Sequence, residues 1–289
     1  MNDNPTLAFI GGSGLYNFSA ISEQESVDVE TPFGFPSSPI TIGNLAGRKV
    51  AFLARHGLGH YIPPGDVNYR ANIFALKSLG VQNVISISAC GSLREDYKPG
   101  DIVIPDQLFD FTRSRECSFF EQGLVVHIGT ADPYCKNLSS RVFNAVNKTG
   151  ACVHQGGTFI VIEGPRFSTK AESNLFREWG MSIIGMTACP EAFLAREAEM
   201  CYATMAHVTD YDVWHISEES VSVEMVINTL NKNLEIAQES IVELAKIPFE
   251  VADCSCQHAL ASSIITHPNS ITNEMKKKLS ILVDKYISQ

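Results

Sequence analysis

One apolar run limits the fold of this chain more than any other feature. Residues 202–208 read YATMAHV and are followed directly by TDYD at residues 209–212. An apolar run without alternation is typical of a strand buried on both faces, as in an α/β protein whose helices cover both sides of the sheet. Open α/β sheets bind their ligands at the carboxyl ends of strands, so we expect Asp210 and Asp212 to face a ligand there.

The two aspartates suit a ligand edge that offers hydrogen-bond donors. A carboxylate accepts hydrogen bonds and, when it is protonated, also donates one. Asp210 and Asp212 are therefore suited to an exocyclic amino group beside a ring nitrogen. A turn in which Asp bonds its own backbone explains the same pair. His207, within the strand, is expected to be buried with hydrogen-bonded ring nitrogens.

Strand and helix patterns alternate along most of the chain. Strands are predicted at 6–10, 48–54, 81–92, 101–105, 158–162 and 181–184, and helices at 66–79, 134–149, 170–179, 192–200, 219–244 and 273–287. We expect Asp66 to cap the first helix and residues 106–123 to form a long loop. Because 45% of the 289 residues are hydrophobic, a large core is available. The prediction is α/β, a single domain over residues 1–289 with a central mixed, twisted β-sheet flanked by helices.

Charge and hydropathy exclude several classes of partner. The formal net charge of −10 argues against nucleic acid, which requires a basic surface. No apolar run approaches the length of about 18 residues that a membrane span needs, and the N-terminus lacks the pattern of a signal peptide. We expect a soluble cytoplasmic protein without a membrane partner, in which an anionic substrate would need a local basic pocket.

Small and basic residues at predicted strand ends are candidates for such a pocket. The glycines of GGSG at residues 11–14 let the backbone close around an anion, and Ser13 adds a hydroxyl, although a plain tight turn has the same pattern. Arg55 can fork onto two oxygen atoms and His56 can add a donor, but an ordinary surface ion pair is as compatible with the sequence. Further candidate donors are Ser88, Ala89 and Thr187. A helix cap would explain Thr187 equally well.

One aromatic side chain and the cysteines complete the candidates. Phe167 follows a predicted strand and is suited to stacking on a flat heterocycle, although a core position is the commoner role of Phe. The eight cysteines are too sparse for a disulfide scaffold. Most, including Cys201, lie in apolar context and are expected to be small buried hydrophobes. For Cys254 and Cys256 we expect free thiols. A local disulfide, a redox pair and a metal half-site are the alternatives, although no second cluster at zinc spacing accompanies the two cysteines.

Taken in order, these motifs resemble the trimeric purine nucleoside phosphorylase family, and most closely its 5′-methylthioadenosine phosphorylases. The resemblance extends from about residue 7 to about residue 245 and leaves residues 250–289 as a C-terminal extension without an assigned role. The matching motifs are GGSG at 11–14, TPFG at 31–34, ARHG at 54–57, VNY at 67–69, ACGSLR at 89–94, PGDIV at 99–103, IEGPRF at 162–167, GMT at 185–187, PE at 190–191 and TDYD at 209–212.

The resemblance implies a role for each matching residue. Phosphate would be held by Ser13, Arg55, His56, Ser88, Ala89 and Thr187. Phe167 would stack on the purine, Asp210 would face N7 and the 6-amino group as the catalytic acid, and Asp212 would support the amino side. Met186 would lie under the ribose. The methylthio pocket would be formed by Val223, Val226, Ile227 and, from a neighbouring subunit, His127.

The implied reaction is phosphorolysis of 5′-methylthioadenosine to adenine and 5-methylthioribose 1-phosphate, in purine and methionine salvage. Inorganic phosphate is a co-substrate, and no metal or organic cofactor is expected. The resemblance also implies a homotrimer, with a dimer of trimers as the alternative. Relatives that take 6-oxopurines generally have Asn at the position of Asp210 and Glu at that of Ser168. The alternative activity is therefore a phosphorylase for methylthioinosine or inosine.

Overall fold

The computed structural model describes residues 4–12, 15, 19–216, 223–248 and 254–287. Its strands are β1 Leu7–Gly11, β2 Ser22–Val27, β3 Ile40–Leu45, β4 Arg48–Ala54, β5 Asn83–Ser92, β6 Ile102–Ile104, β7 Gln107–Phe111, β8 Val153–Gln155, β9 Thr158–Ile162, β10 Ile183–Gly185 and β11 Cys201–Asp210. Its α-helices are α1 Tyr69–Ser78, α2 Lys136–Lys148, α3 Lys170–Glu178, α4 Ala188–Glu197, α5 Val223–Lys246, α6 Asn273–Lys278 and α7 Ser280–Ile287.

The strands form one mixed sheet, which confirms the predicted fold class. The order along its main path is β2-β3-β4-β1-β5-β10-β9-β7, and β11 pairs with both β5 and β6. Strand β5 is central because it is parallel to β1 and β11 and antiparallel to β10. The carboxyl ends of β1, β4, β5 and β11 therefore meet at one edge of the sheet.

Strand β11 is buried along its whole length, as its composition predicts. Its side chains alternate between two layers, because successive residues of a strand point to opposite faces. Tyr202 packs in the cluster that includes α1 and α4, whereas Ala203 and Met205 pack in the cluster that includes α2 and α5. Helices thus cover both faces of the sheet. A ligand can therefore reach the sheet only at the ends of its strands.

Several element boundaries differ from the sequence prediction. The first helix begins at Tyr69 and is capped by Asn68, whose side chain accepts a hydrogen bond from the Ala71 amide. Asp66 lies instead at the end of a 3-10 turn that spans Pro64–Asp66 and stops before the helix begins. Part of the predicted loop at 106–123 is strand β7, which pairs with β9. None of the described helices combines the length and apolarity needed to span a membrane.

Glu197, at the end of α4, gives a pH-dependent contribution to stability. It is buried, accepting hydrogen bonds from the Ser118 hydroxyl and the Phe119 amide, both at 2.8 Å. Burial raises its pKa to about 7, although both hydrogen bonds act in the opposite direction. The side chain of an unfolded Glu titrates near pH 4.3. Between about pH 4.3 and pH 7 the native state therefore binds a proton that the unfolded state has lost, so the free energy of unfolding falls as the pH rises.

We expect Glu197→Gln to remove this loss of stability. The amide keeps the shape and both hydrogen-bond partners but cannot ionise. Between pH 4 and pH 8 the free energy of unfolding of the wild type should fall by about 3 kcal/mol more than that of the variant. Urea unfolding of both proteins at the two pH values measures the difference, and identical pH dependence would contradict the assignment.

Candidate active site

A cavity of about 260 Å³ opens where the strand ends meet. It brings together predicted residues from distant parts of the chain, namely Arg55, His56, Ser88, Ala89, Phe167, Met186, Thr187, Asp210 and Asp212. The first two follow β4, the next two lie in β5, and the aspartates lie at the end of β11 and just beyond it. The cavity therefore lies at the edge that the strand-end argument predicts.

Five predicted residues do not line this cavity or cannot be placed. Ser13 lies outside the described residues, as does the side chain of Val226. Val223 and Ile227, in the first turns of α5, are 63% and 50% exposed in the single chain. His127 is exposed and hydrogen-bonds through its backbone amide to Ser263. The α5 residues that do line the cavity are Asn233, Leu234 and Ala237.

A β-bulge directs Asp210 into the cavity. The register between β11 and β5 shifts between Val208 and Asp210, so that Asp210 pairs with Gly91. Such a bulge re-aims side chains, and both Thr209 and Asp210 line the cavity although neighbours in a regular strand point apart. A side chain on Gly91 would place its Cβ 3.0 Å from Asp210 Oδ1. A larger residue at position 91 would therefore crowd the aspartate, and glycine avoids this contact.

The surroundings of Asp210 raise its pKa. Only 6% of the residue is exposed, and burial raises the pKa, although hydrogen bonds from the Thr209 hydroxyl and the Asp212 amide act in the opposite direction. The Thr209 hydroxyl lies 2.7 Å from Asp210 Oδ2 and 3.2 Å from the Cys90 carbonyl oxygen. A hydroxyl has one hydrogen, so Thr209 donates to Asp210 when that group is a carboxylate, and to the Cys90 carbonyl oxygen when Asp210 is protonated and donates to Thr209. The geometry thus accommodates an acid that has a proton to give.

Asp212 lies beside Asp210 in a constrained turn. Its backbone amide donates a 2.7 Å hydrogen bond to Asp210 Oδ1, and its φ of 52° lies in the left-handed region. The turn explanation left open by the sequence is therefore correct for the backbone. It does not exclude a ligand, because the Asp212 side chain also lines the cavity. Burial raises the pKa of Asp212 as well, while the Ser173 hydroxyl lowers it.

Arg55 is buried in an ion pair that the sequence did not predict. Its Nε and Nη2 donate to the two carboxylate oxygens of Glu191 at 2.8 and 2.9 Å, and Nη2 also donates to Ser86. Burial alone would lower the pKa of Arg55, but Glu191 outweighs this effect and raises it. The two guanidinium nitrogens expected to bind a ligand thus donate to Glu191 instead. Of the guanidinium nitrogens, Nη1 alone has a hydrogen left for an anion, because its other hydrogen goes to the Ile87 carbonyl oxygen.

His56 is neutral, which changes its expected role as a hydrogen-bond donor. Burial, followed by the charge of Arg55, lowers its pKa to about 4. Nδ1 lies 2.9 Å from the Ile62 carbonyl oxygen, so Nδ1 carries the hydrogen and donates it. Nε2 is then an acceptor, suited to a protonated oxyanion rather than a fully ionised one.

Two hydroxyls and one aromatic ring line the cavity. Ser88 Oγ is buried without a hydrogen-bond partner among the described residues. Thr187 precedes α4, but its side chain makes no capping bond. Both hydroxyls line the cavity and can bind an anion. Phe167 also lines it and is 37% exposed, so it is not a core residue.

Two further residues had no functional role predicted from the sequence. Arg115 donates to Glu163 and to the Met186 carbonyl, which fixes the segments on either side of the cavity. His207 lines the cavity with both ring nitrogens buried and unpaired among the described residues, and burial lowers its pKa to about 4. The expectation of a hydrogen-bonded His207 was therefore wrong, because its neighbours in β5 and β6 are Ala89 and Ile102.

Comparisons with known proteins show the family to which this chain belongs. The model of the phosphorylase superfamily matches residues 6–246. The S-methyl-5′-thioadenosine phosphorylase of Chloroflexus aurantiacus is 51% identical over 285 residues, which cover 98% of this chain and 99% of that protein. The enzyme of the same name from Koribacter versatilis is 48% identical over 283 residues, covering 98% and 97%.

Similar solved structures are also methylthioadenosine phosphorylases. The crystal structure of a methylthioadenosine phosphorylase from an antarctic soil metagenomic library matches with a TM-score of 0.93 and 44% identity, covering 98% of this chain and 100% of that one. The methylthioadenosine phosphorylase of Schistosoma mansoni in complex with adenine matches with a TM-score of 0.84 and 34% identity, covering 89% and 98%. This chain belongs to the phosphorylase superfamily and, within it, to the family of the S-methyl-5′-thioadenosine phosphorylases.

Proposed function

We propose that this protein cleaves 5′-methylthioadenosine with inorganic phosphate, giving adenine and 5-methylthioribose 1-phosphate. The observation that carries the proposal is one cavity that joins an anion corner to a buried acid of raised pKa. The corner consists of Arg55, His56, Ser88 and Thr187, and the acid is Asp210. The names of the similar proteins support the same reaction.

The two parts of the cavity suit the two charges that the reaction creates. When the bond between C1′ and N9 breaks, positive charge develops on the ribose and negative charge on the base. Phosphate in the anion corner stabilises the ribose and forms the new bond to C1′. Asp210 gives its proton to N7 of the leaving adenine, which removes the charge on the base. No metal or organic cofactor enters these steps.

The phosphate is expected to bind in a protonated form. Neutral His56 offers an acceptor at Nε2, whereas Ser88 and Thr187 offer hydroxyl donors and Arg55 offers its remaining Nη1 hydrogen. The P–O–H group would donate to His56 and the other oxygens would accept. This arrangement matches each ligand atom to a partner of the opposite kind.

Asp210 also supports the choice of adenine over hypoxanthine. Its proton is directed to N7, so its other carboxyl oxygen accepts from a 6-amino group, whereas a 6-oxo group would place two acceptors together. An unpaired buried acceptor costs about 1–3 kcal/mol. The alternative activity on methylthioinosine or inosine is therefore disfavoured by the same residue that supplies the proton.

A second chain would complete the methylthio pocket in a homotrimer. His127 is exposed and lies outside the cavity of its own chain, so a contribution from it requires a neighbouring copy. The exposed Val223 and Ile227 give an apolar surface at the start of α5 for the same contact. The homotrimer, the dimer of trimers and the cytoplasmic location stay predictions.

An assay of four nucleosides tests the proposal. Methylthioadenosine, adenosine, methylthioinosine and inosine are each incubated with and without phosphate, and release of the free base is measured. We expect phosphate-dependent release of adenine, fastest from methylthioadenosine. Faster release of hypoxanthine would favour the alternative substrate, and equal turnover without phosphate would indicate a hydrolase.

A further inference from the structure

Four cysteines from three separate segments meet at the N-terminal end of β11, the end opposite Asp210. Cys135 directly precedes α2, Cys201 is the first residue of β11, and Cys254 and Cys256 begin the C-terminal segment. All four sulfur atoms lie within 4.8 Å of one another. Cys135, Cys201 and Cys256 are buried and Cys254 is half-buried. The sequence predicted unconnected thiols here.

The distances between the sulfur atoms match a tetrahedral metal site. Cys254 Sγ lies 3.7 Å from Cys135 Sγ and 3.6 Å from Cys201 Sγ. Two thiolates bound to one tetrahedral Zn²⁺ at about 2.3 Å from the metal lie about 3.8 Å apart. A disulfide would need a separation of about 2.05 Å, and all four cysteines are free in the structure.

The groups around the cluster suit thiolates rather than thiols. Arg196 Nη1 donates to Cys256 Sγ at 3.3 Å, and its Nη2 is held by the Asp132 carbonyl oxygen at 2.6 Å. Cys135 lies at the N-terminus of the 13-residue helix α2, whose dipole favours negative charge. A zinc ion with four thiolates has a net charge of −2, so a fixed guanidinium and a helix N-terminus both stabilise it.

We propose that Cys135, Cys201, Cys254 and Cys256 bind one Zn²⁺ as a structural tetrathiolate site. Binding replaces four S–H protons, which are released to solvent, by four Zn–S bonds. All four positions of the metal are filled by protein, so the ion has no position for a substrate and acts on stability. This departs from the expectation that the chain binds no metal.

The ion would tie the C-terminal segment to the sheet. Residues 254–287 also pack against the rest of the chain through Leu279 and Val283 in the core and through Lys285, which pairs with Glu199. Ile264 bridges to Val126, next to His127. Zinc at the start of this segment would therefore also hold the backbone that positions His127.

Metal analysis of the full-length protein tests the proposal. The protein is purified under reducing conditions with added zinc, and metal content is measured by mass spectrometry for the wild type and Cys254→Ser/Cys256→Ser. We expect about one zinc per wild-type chain and less than about a tenth of that in the double variant. Cys117→Ser, which removes an exposed cysteine outside the cluster, should keep the wild-type content.

Two further measurements on the wild-type chain do not depend on a variant that folds. Removing the metal with a strong chelator should lower Tm by about 5 °C or more, and added zinc should restore it. Cobalt substituted for zinc should give the visible spectrum of a tetrahedral tetrathiolate complex. A wild-type protein without zinc, with iron instead, or with these cysteines joined in disulfides would overturn the proposal.

Discussion

We expect Asp210→Asn to lower kcat/KM for methylthioadenosine phosphorolysis by about 10²–10⁴-fold, the range that a positioned general acid contributes. Asn has no carboxyl proton to give to N7, so the adenine anion would leave without neutralisation. The fold should survive, because the Asn side-chain oxygen can still accept from the Asp212 amide. Steady-state kinetics with saturating phosphate, together with the unfolding temperature, measures both expectations.

Substrate choice provides a second readout for the same variant. The Asn side chain can donate to a 6-oxo group, so release of hypoxanthine from methylthioinosine should fall far less than release of adenine. Asp28→Asn is the matched control, since it makes the same chemical change at an exposed residue outside the cavity. If Asp210→Asn kept adenine release within about threefold of wild type, well short of the general-acid range, the proton would have to come from another group.

Arg55→Met should damage both stability and phosphate use. Methionine fills much of the volume but leaves the buried Glu191 carboxylate without its cation, and among the described residues only the Tyr202 hydroxyl still donates to it. Removing one partner of a buried ion pair costs about 3–5 kcal/mol of unfolding free energy. Loss of a charged donor to phosphate, at about 1.5–3 kcal/mol, should raise the KM for phosphate about 10–100-fold.

A double variant separates these two effects. Arg55→Met/Glu191→Leu removes both buried charges, and hydrophobic replacement of such a pair is often neutral for stability. Denaturant unfolding should therefore show much of the lost stability restored, while the KM for phosphate stays high. Arg94→Met breaks an exposed pair with Asp96 and should cost less than about 1 kcal/mol. Wild-type phosphate use in the double variant would exclude Arg55 from the anion corner.

The sequence determined the buried strand, the strand-end aspartates, the Arg55-His56 pair and the motifs that identify the family. These are local properties: hydrophobic pattern and neighbouring residues are sufficient to predict them. The same local reasoning placed the first helix cap at Asp66, although the 3-10 turn that begins at Pro64 moves the cap to Asn68. It also missed β7, because an edge strand with exposed polar residues has little hydrophobic signal.

Only the tertiary structure decided how the candidate residues act. Arg55 and Glu191 are 136 residues apart in sequence, so no local pattern shows that the guanidinium fork is already occupied. The bulge that turns Asp210 into the cavity depends on pairing with Gly91, and the neutral state of His56 depends on burial and on the charge of Arg55. The cysteine cluster likewise joins three segments that have no common spacing. Hydrogen-bond partners, burial and pKa values depend on contacts between residues that are distant in sequence, so local sequence patterns do not predict them.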